Sequence, residues 1–297
     1  MLNRLIVFGA TNIAVIALFM VISSIFGLGS YITSSGLNLE SLFFFALIFG
    51  FGGAFVSLLL SKWTAKKLYR IQMIESPTTA HEKWLFETVE KHAKNMGVKM
   101  PEVGYYQSPE LNAFATGSNR NNSLVAFSSG LLGGMSQDEA EGVIAHEVAH
   151  IANGDMVTMA LIQGVVNTFV IFFARIAAYA VSTMGQRDDD EGEGFSHLTF
   201  MLTSIVFEII FGIFAQVIVC WFSKQREYKA DAMSAKSAGK SKMIDALKKL
   251  QQTYEQTDDQ VAPQLSTMKI SSKSTILGFL SSHPPLESRI QKLEELN

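Results

Sequence analysis

Four apolar runs constrain this chain more than any other feature: Leu5–Phe26, Ser41–Leu60, Val157–Val181 and Thr199–Phe222. Each approaches the roughly 20 residues that a helix needs to cross a bilayer's hydrocarbon core. Within that core every backbone N–H and C=O must be satisfied inside the element, so such runs fold as helices. Composition agrees. Of 297 residues 48% are hydrophobic and 17% charged, where a soluble domain carries roughly 25% charged. The first run resembles a signal-peptide core, but it is long and lacks a clear small-x-small cleavage site. A second run follows soon after, so the expectation is a retained span.

Basic residues orient the spans. Lys62, Lys66, Lys67 and Arg70 follow the second run, whereas the loop Gly27–Glu40 has no Lys or Arg. The positive-inside rule then places the segment from Ser61 to about Met156 in the cytoplasm. The third run leaves, GQRDDDEGEG faces the opposite side, and the fourth run returns the chain at SKQREYK. Both polar blocks and both termini therefore share the cytoplasmic side. Arg175 and Glu208 fall inside the third and fourth runs, where unpaired charge is costly. An interhelical ion pair accounts for them more simply than a substrate groove. A hairpin packed partly on protein remains the alternative to two full crossings.

A net charge of −3 and the absence of a long basic stretch give no nucleic-acid signal. Cys220 is the single cysteine and sits in an apolar run, so no disulfide framework or cysteine-based metal knuckle can form.

Between the apolar blocks lies SQDEAEGVIAHEVAHIANGD. Ser136 and Glu139 have capping-box spacing and Asn153-Gly154 is a stop, which predicts a helix over about 137–152. His146 and His150, four apart, share one face of that helix, so both imidazoles can reach one metal ion. Glu147, one position round, can hold a water there and accept its proton. The H-E-x-x-H pattern lacks the Gly and His that a metzincin needs, since Asn153 and Met156 stand there.

A third protein ligand must come from elsewhere. Asp155 is expected just outside the helix and turned away. Asp188–Glu193 should lie across the membrane, and Glu208 within it. The first carboxylate back on the correct side is Glu227. If the fourth run continues as a helix, Asp231 lies on the same face, four residues on. A ligating His usually donates its second N–H to a carboxylate, and Asp231 can be that acceptor for one imidazole. The competing reading is a charged helix face paired with Lys224 and Lys229.

HEVAH, the hydrophobic hairpin, REYKAD with its E-x-x-x-D spacing, and SSHPPLESRI near the C-terminus together resemble the HtpX-type membrane metalloproteases. These are gluzincins related to the CAAX prenyl proteases, and the resemblance covers nearly the whole chain. It implies an integral membrane zinc endopeptidase of the bacterial cytoplasmic membrane, acting in quality control on misfolded or damaged membrane proteins. It implies one Zn2+ held by His146, His150 and Glu227, with Glu147 as general base. His283 of SHPP is implied to stabilise the oxyanion, although its position before Pro284-Pro285 also suits a helix entry. Arg289 can pair with an acidic neighbour or approach the same oxygen. NAFATG, Asn112–Gly117, resembles the family's edge strand beside the zinc, where Asn112, Ala113 and Phe114 would bind an extended peptide. An internal strand with Phe114 in the core is the alternative.

Ser76–Val98 reads as an amphipathic helix whose His81 and His92 are surface or packing residues. Gln256–Ser274 is polar and contains Pro263, which suggests a loop. The expected fold is α+β and mainly helical, with a small sheet in a zincin-like catalytic domain. Residues 1–60 form a membrane pair and 61–156 the first catalytic part. Residues 157–222 form a second pair or hairpin, and 223–297 the second catalytic part. Unfolded or membrane-protein polypeptides and the lipid bilayer are the expected partners, with no nucleic acid. A zinc transporter fits poorly, because HEVAH follows a polar stretch. A non-proteolytic zinc-binding chaperone or scaffold would carry the same residues.

Overall fold

The computed structural model of the chain describes residues 21, 24, 31–33, 36–184, 197–260 and 283–296. All of the first apolar run except Val21 and Ser24 lies outside them, as does GQRDDDEGEG. A short hairpin, β1 (Ile32–Thr33) with β2 (Gly36–Leu37), leads into helix α1 (Leu39–Tyr69). Asn38 starts α1 by accepting the Ser41 N–H at 2.9 Å, and Arg70, with φ at 50°, ends it. Strand β3 (Gln72–Met73) follows, then α2 (Ala80–Asn95). The amphipathic helix expected from Ser76 thus begins at Ala80, because Thr79 and Glu82 close a capping box there.

Next come β4 (Glu102–Tyr106), β5 (Ala113–Asn119), β6 (Asn122–Ser128), α3 (Ser129–Gly134) and α4 (Gln137–Asn153). The long helices α5 (Asp155–Met184) and α6 (His197–Ala238) precede α7 (Lys240–Gln260) and α8 (Leu286–Glu294). Gln256–Gln260, expected in a loop, belong to α7, and 261–274 lie outside the described residues. Polarity and a proline seven residues beyond Gln256 do not end a helix early.

The strands form a mixed sheet in the order β3-β4-β6-β5. β4 and β6 are parallel, and β5 pairs antiparallel with β6 alone, which leaves β5 at an edge. Gly117, at φ +143°, makes the irregularity in β5: a Cβ there would collide with the Asn122 carbonyl. β6 is the central strand, and Leu124, Val125, Ala126 and Phe127 are fully buried. Val125 and Phe127, on one face, share a core with Leu85 and Val89 of α2 and Ile144, Val148 and Ile151 of α4. Burying side chains of this size contributes about 1.5–3 kcal/mol each. Every α4 residue from Ala140 to Ala149 is buried. Its polar residues Glu141, His146 and Glu147 therefore sit where partners are obligatory.

The chain divides into two compact units, one of residues 1–57 and 159–219, the other of 58–158 and 220–297. It passes from one to the other inside α1, α5 and α6. Among the described residues three helices, Leu39–Tyr69, Asp155–Met184 and Leu198–Ala238, are long and apolar enough to cross a membrane. In the first unit glycines permit close helix approach, Gly50 against Thr168 and Gly164 against Phe51. Arg175 Nη1 donates to Glu208 Oε1 at 2.6 Å, so the two embedded charges form an interhelical ion pair.

Candidate active site

The second unit holds the residues singled out above. Ser136 and Glu139 close their capping box and set the start of α4, and Gly154 ends it in the left-handed region (φ 71°, ψ 31°). One turn of helix separates His146 from His150, whose rings meet edge-on with centroids 4.6 Å apart. Their Nε2 atoms are 3.1 Å apart. Glu227, from α6, completes the group: Oε2 is 3.6 Å from His146 Nε2 and Oε1 is 3.4 Å from His150 Nε2. Glu227 is 1% exposed, and its Oε1 has no hydrogen-bond partner.

Each imidazole turns its other nitrogen to a carboxylate. His146 Nδ1 faces Asp231 Oδ1 at 2.9 Å, and His150 Nδ1 bonds Asp155 Oδ2 at 2.6 Å. A proton on each Nδ1 leaves the Nε2 lone pairs pointing at one another and at Glu227, an arrangement suited to a cation. Four-coordinate zinc with bonds of about 2.0–2.1 Å sets neighbouring ligand atoms roughly 3.3 Å apart. The observed separations of 3.1, 3.4 and 3.6 Å bracket that spacing.

Electrostatics agree. Glu147, Asp155, Glu227 and Asp231 lie around the imidazoles with one guanidinium, Arg289. Burial lowers the His150 pKa, but the bond to Asp155 and the nearby Glu227 carboxylate overcome it and raise it to about 9. Burial opposes ionisation of Glu227, yet His146, His150 and His283 hold its carboxyl far below the usual range. A site that draws positive charge onto imidazole is one that favours a divalent cation in its place. Among the described residues, His146, His150 and Glu227 make the one such cluster with metal-ligand spacing.

Arg289 of α8 supports the far side. Its Nε and Nη2 donate to Asp231 Oδ2 and Oδ1 at 2.8 and 2.6 Å, and its Nη1 lies 3.7 Å from Glu227 Oε2. His283 bonds Glu227 Oε2 through Nδ1 at 2.9 Å, while its side chain is 62% exposed. A cleft of about 480 Å³ opens here, lined by Asn112, Ala113, Glu147 and His283 among others. Asn112 and the edge strand β5 thus border the cleft. Phe114 points elsewhere, packing on Tyr69 and Tyr106 with centroids 5.1 and 5.7 Å away. Adjacent strand residues face opposite sides, so Ala113 and Phe114 cannot both line it.

Asp155 corrects an expectation: it does not turn away. The left-handed turn at Gly154 starts α5 at once and returns the Asp155 carboxylate to His150. The histidine–carboxylate rule that pointed to Asp231 applies equally to the second imidazole, and would have found Asp155.

Residues 79–297 match the sequence profile of Peptidase family M48. The chain belongs to peptidase family M48. Protease HtpX of Tolumonas auensis (strain DSM 9187 / NBRC 110442 / TA 4) is 50% identical over 295 residues, 99% of this chain and 100% of that protein. Protease HtpX of Shewanella baltica (strain OS195) is 51% identical over 292 residues, 98% of this chain and 99% of that protein. Among solved structures, the crystal structure of S. mikatae Ste24p superposes with a TM-score of 0.67 at 21% identity. That match covers 99% of this chain and 64% of the Ste24p chain, and it shows a shared fold. This M48 member is an HtpX-type membrane metalloprotease, with the mainly helical α+β fold expected from its sequence.

Proposed function

We propose that this M48 protease is a zinc-dependent endopeptidase of the bacterial cytoplasmic membrane that cleaves misfolded or damaged membrane proteins. The catalytic part is assembled from 61–156 and 223–297, with membrane pairs 1–60 and 157–222, and both termini and the active site are cytoplasmic. One observation carries the reading. Two imidazole Nε2 atoms and a buried carboxylate converge within 3.1–3.6 Å, each Nδ1 faces a carboxylate, and Glu147 lines the adjoining cleft. The lysines and arginine after the second run support the orientation.

His146, His150 and Glu227 would hold one Zn2+, which when bound supplies Lewis acidity towards the scissile carbonyl and an attacking water. Glu147 takes the proton of that water and passes it to the departing amine nitrogen. The free edge of β5 from Ala113 binds the substrate backbone as an added strand, which tolerates varied side chains, while Asn112, whose backbone N–H and C=O are bonded to Ser128, lines the cleft beside it. Unfolded segments of many sequences suit such a site. His283 donates a hydrogen bond to the carbonyl oxygen as it gains charge, exchanging its Glu227 partner for the substrate. Asp155 and Asp231 keep the imidazoles oriented, and Arg289 neutralises Asp231 behind them.

The test compares casein cleavage by the purified, zinc-loaded wild type with that of Glu147→Gln. A loss of about 10²–10⁴-fold is expected for a removed general base. Equal cleavage would sink the role of Glu147, and no cleavage by either protein would favour a zinc-binding scaffold.

A further inference from the structure

Five residues before His146, α4 carries a second buried polar cluster that takes no part in the mechanism. Glu141 receives Lys91 Nζ on Oε1 at 2.7 Å and Lys242 Nζ on Oε2 at 2.6 Å. Lys242 also pairs with Asp138 at 2.7 Å. His92 of α2, with 0% exposure, places Nε2 3.2 Å from Glu141 Oε1 and Nδ1 2.7 Å from Ser237 Oγ. Asn95 Nδ2 donates to the same Ser237 oxygen at 3.3 Å.

Donor rules assign the protons. An ionised Glu141 only accepts, so His92 Nε2 carries the N–H that meets it. The Nδ1 of a neutral ring then accepts, and the Ser237 hydroxyl donates to it. Burial, the leading influence on His92, lowers its pKa and favours this neutral ring. The result is a directed chain from Asn95 through Ser237 and His92 to Glu141, with each partner's role filled.

We propose that His92 is a positioning residue for the metal site, bridging α4, which carries His146 and His150, to α6, which carries Glu227 and Asp231. The inference rests on the reading that these residues hold the metal. The bridge lands at informative places. Ser237 lies in the last turn of α6, just before Gly239 (φ +110°), where an untethered helix end frays. Glu227 and Asp231 stand only ten and six residues upstream on that helix. Beside the bridge, Ser234 Oγ donates to the Gly142 carbonyl at 2.8 Å, again joining α6 to α4. Gly142 lets α7 close on the same point, since a Cβ there would come within 2.7 Å of the Lys242 carbonyl oxygen. The ligands meet at one level of the α4–α6 contact, and His92 fixes its other end. Two contacts along a pair of rods set their angle, and one does not.

Detergent-solubilised full-length protein, loaded with zinc, tests this by zinc transfer to excess chelator, alongside kcat and KM on casein and thermal unfolding. Ser237→Ala and His92→Leu are expected to bind one zinc at saturation but release it about tenfold faster, the lower end of what an outer partner's loss costs. kcat should fall and KM hold, and Ser237→Thr, which keeps the hydroxyl, should restore wild-type release. Should His92→Leu fail to fold, Ser237→Ala at the half-buried helix end carries the test. Lowered thermal stability with wild-type release and kcat would make His92 a packing residue and overturn the proposal. Tight zinc retention by Glu227→Ala would instead overturn the ligand reading beneath it.

Discussion

His146 and His150 on one side and His92 on the other lie inside the same catalytic unit, His150 slightly exposed and the other two buried, yet their surroundings push them in opposite directions. Burial lowers the proton affinity of all three, and only the first two have partners that reverse it. His146 is raised above its ordinary pKa by Asp231 and Glu227, and His150 by Asp155 and Glu227. His92 shares Glu141 with two lysines, whose positive charge cancels what the carboxylate would offer, and its pKa stays lowered. One environment demands a positive charge and the other excludes it. The count of carboxylates against cations around an imidazole thus separates these two environments, which burial alone cannot do.

The largest expected break in this comparison comes from removing a carboxylate behind a ligand. Asp155→Asn keeps the shape and a hydrogen-bond acceptor for His150 Nδ1 but removes the negative charge. Zinc affinity, measured by competition with a chelator of known strength, should fall about 10–100-fold. Asp231→Asn should cost at least as much, because it also strips Arg289 of its bidentate partner and leaves a buried guanidinium under-compensated. Unchanged zinc affinity in both variants would mean that the imidazoles are held by packing alone.

The grouping of His146, His150 and Glu227 was legible in the sequence, for physical reasons that failed elsewhere. His146, Glu147 and His150 are local, and helical spacing alone puts the two imidazoles on one face. Glu227 followed from the expected membrane topology, because two crossings would leave few carboxylates on the same side as HEVAH. Asp155 was missed because a residue past a helix end was assumed to point away, whereas the left-handed Gly154 turns it back. His92 was read as surface or packing, since its partners Glu141 and Ser237 lie 49 and 145 residues away in sequence. Phe114 needed the register of β5, which a quoted motif does not carry. The capping box at Ser136 was the most local signal and α4 obeys it, whereas the one at Thr79 went unread and α2 starts four residues later than expected.

An intermediate effect appears in acid. Burial disfavours the ionised Glu141, but bonds from Lys242 and Lys91 win and hold its pKa at about 2, below the ordinary 4.5. A depressed carboxyl contributes stability that is present above its unfolded pKa and is lost as pH falls through the folded value. The full shift corresponds to at most about 3 kcal/mol, and the half-exposed Lys91 reduces that to roughly 2. His92 acts earlier and with the same sign. Its unfolded form gains a proton near pH 6.5 that the folded ring resists, so stability also falls with pH below that point. With chelator present, unfolding of wild type and Glu141→Gln should therefore converge between pH 4.5 and 2. Parallel curves across that window would show that Glu141 is not held by the lysines.

The smallest effect sharpens the comparison from outside. His81 stands on the same helix as His92, eleven residues earlier, but it is exposed and its described ring neighbour is Trp84 at 5.9 Å. His81→Ala should change unfolding free energy by less than about 0.5 kcal/mol and leave zinc release and casein turnover at wild-type values. A release rate that followed His92→Leu would show that α2 as a whole, rather than the Ser237–His92–Glu141 bridge, holds the ligand-bearing helices. The expected contrast between two histidines on one helix therefore isolates the hydrogen-bonded bridge from the helix that carries it.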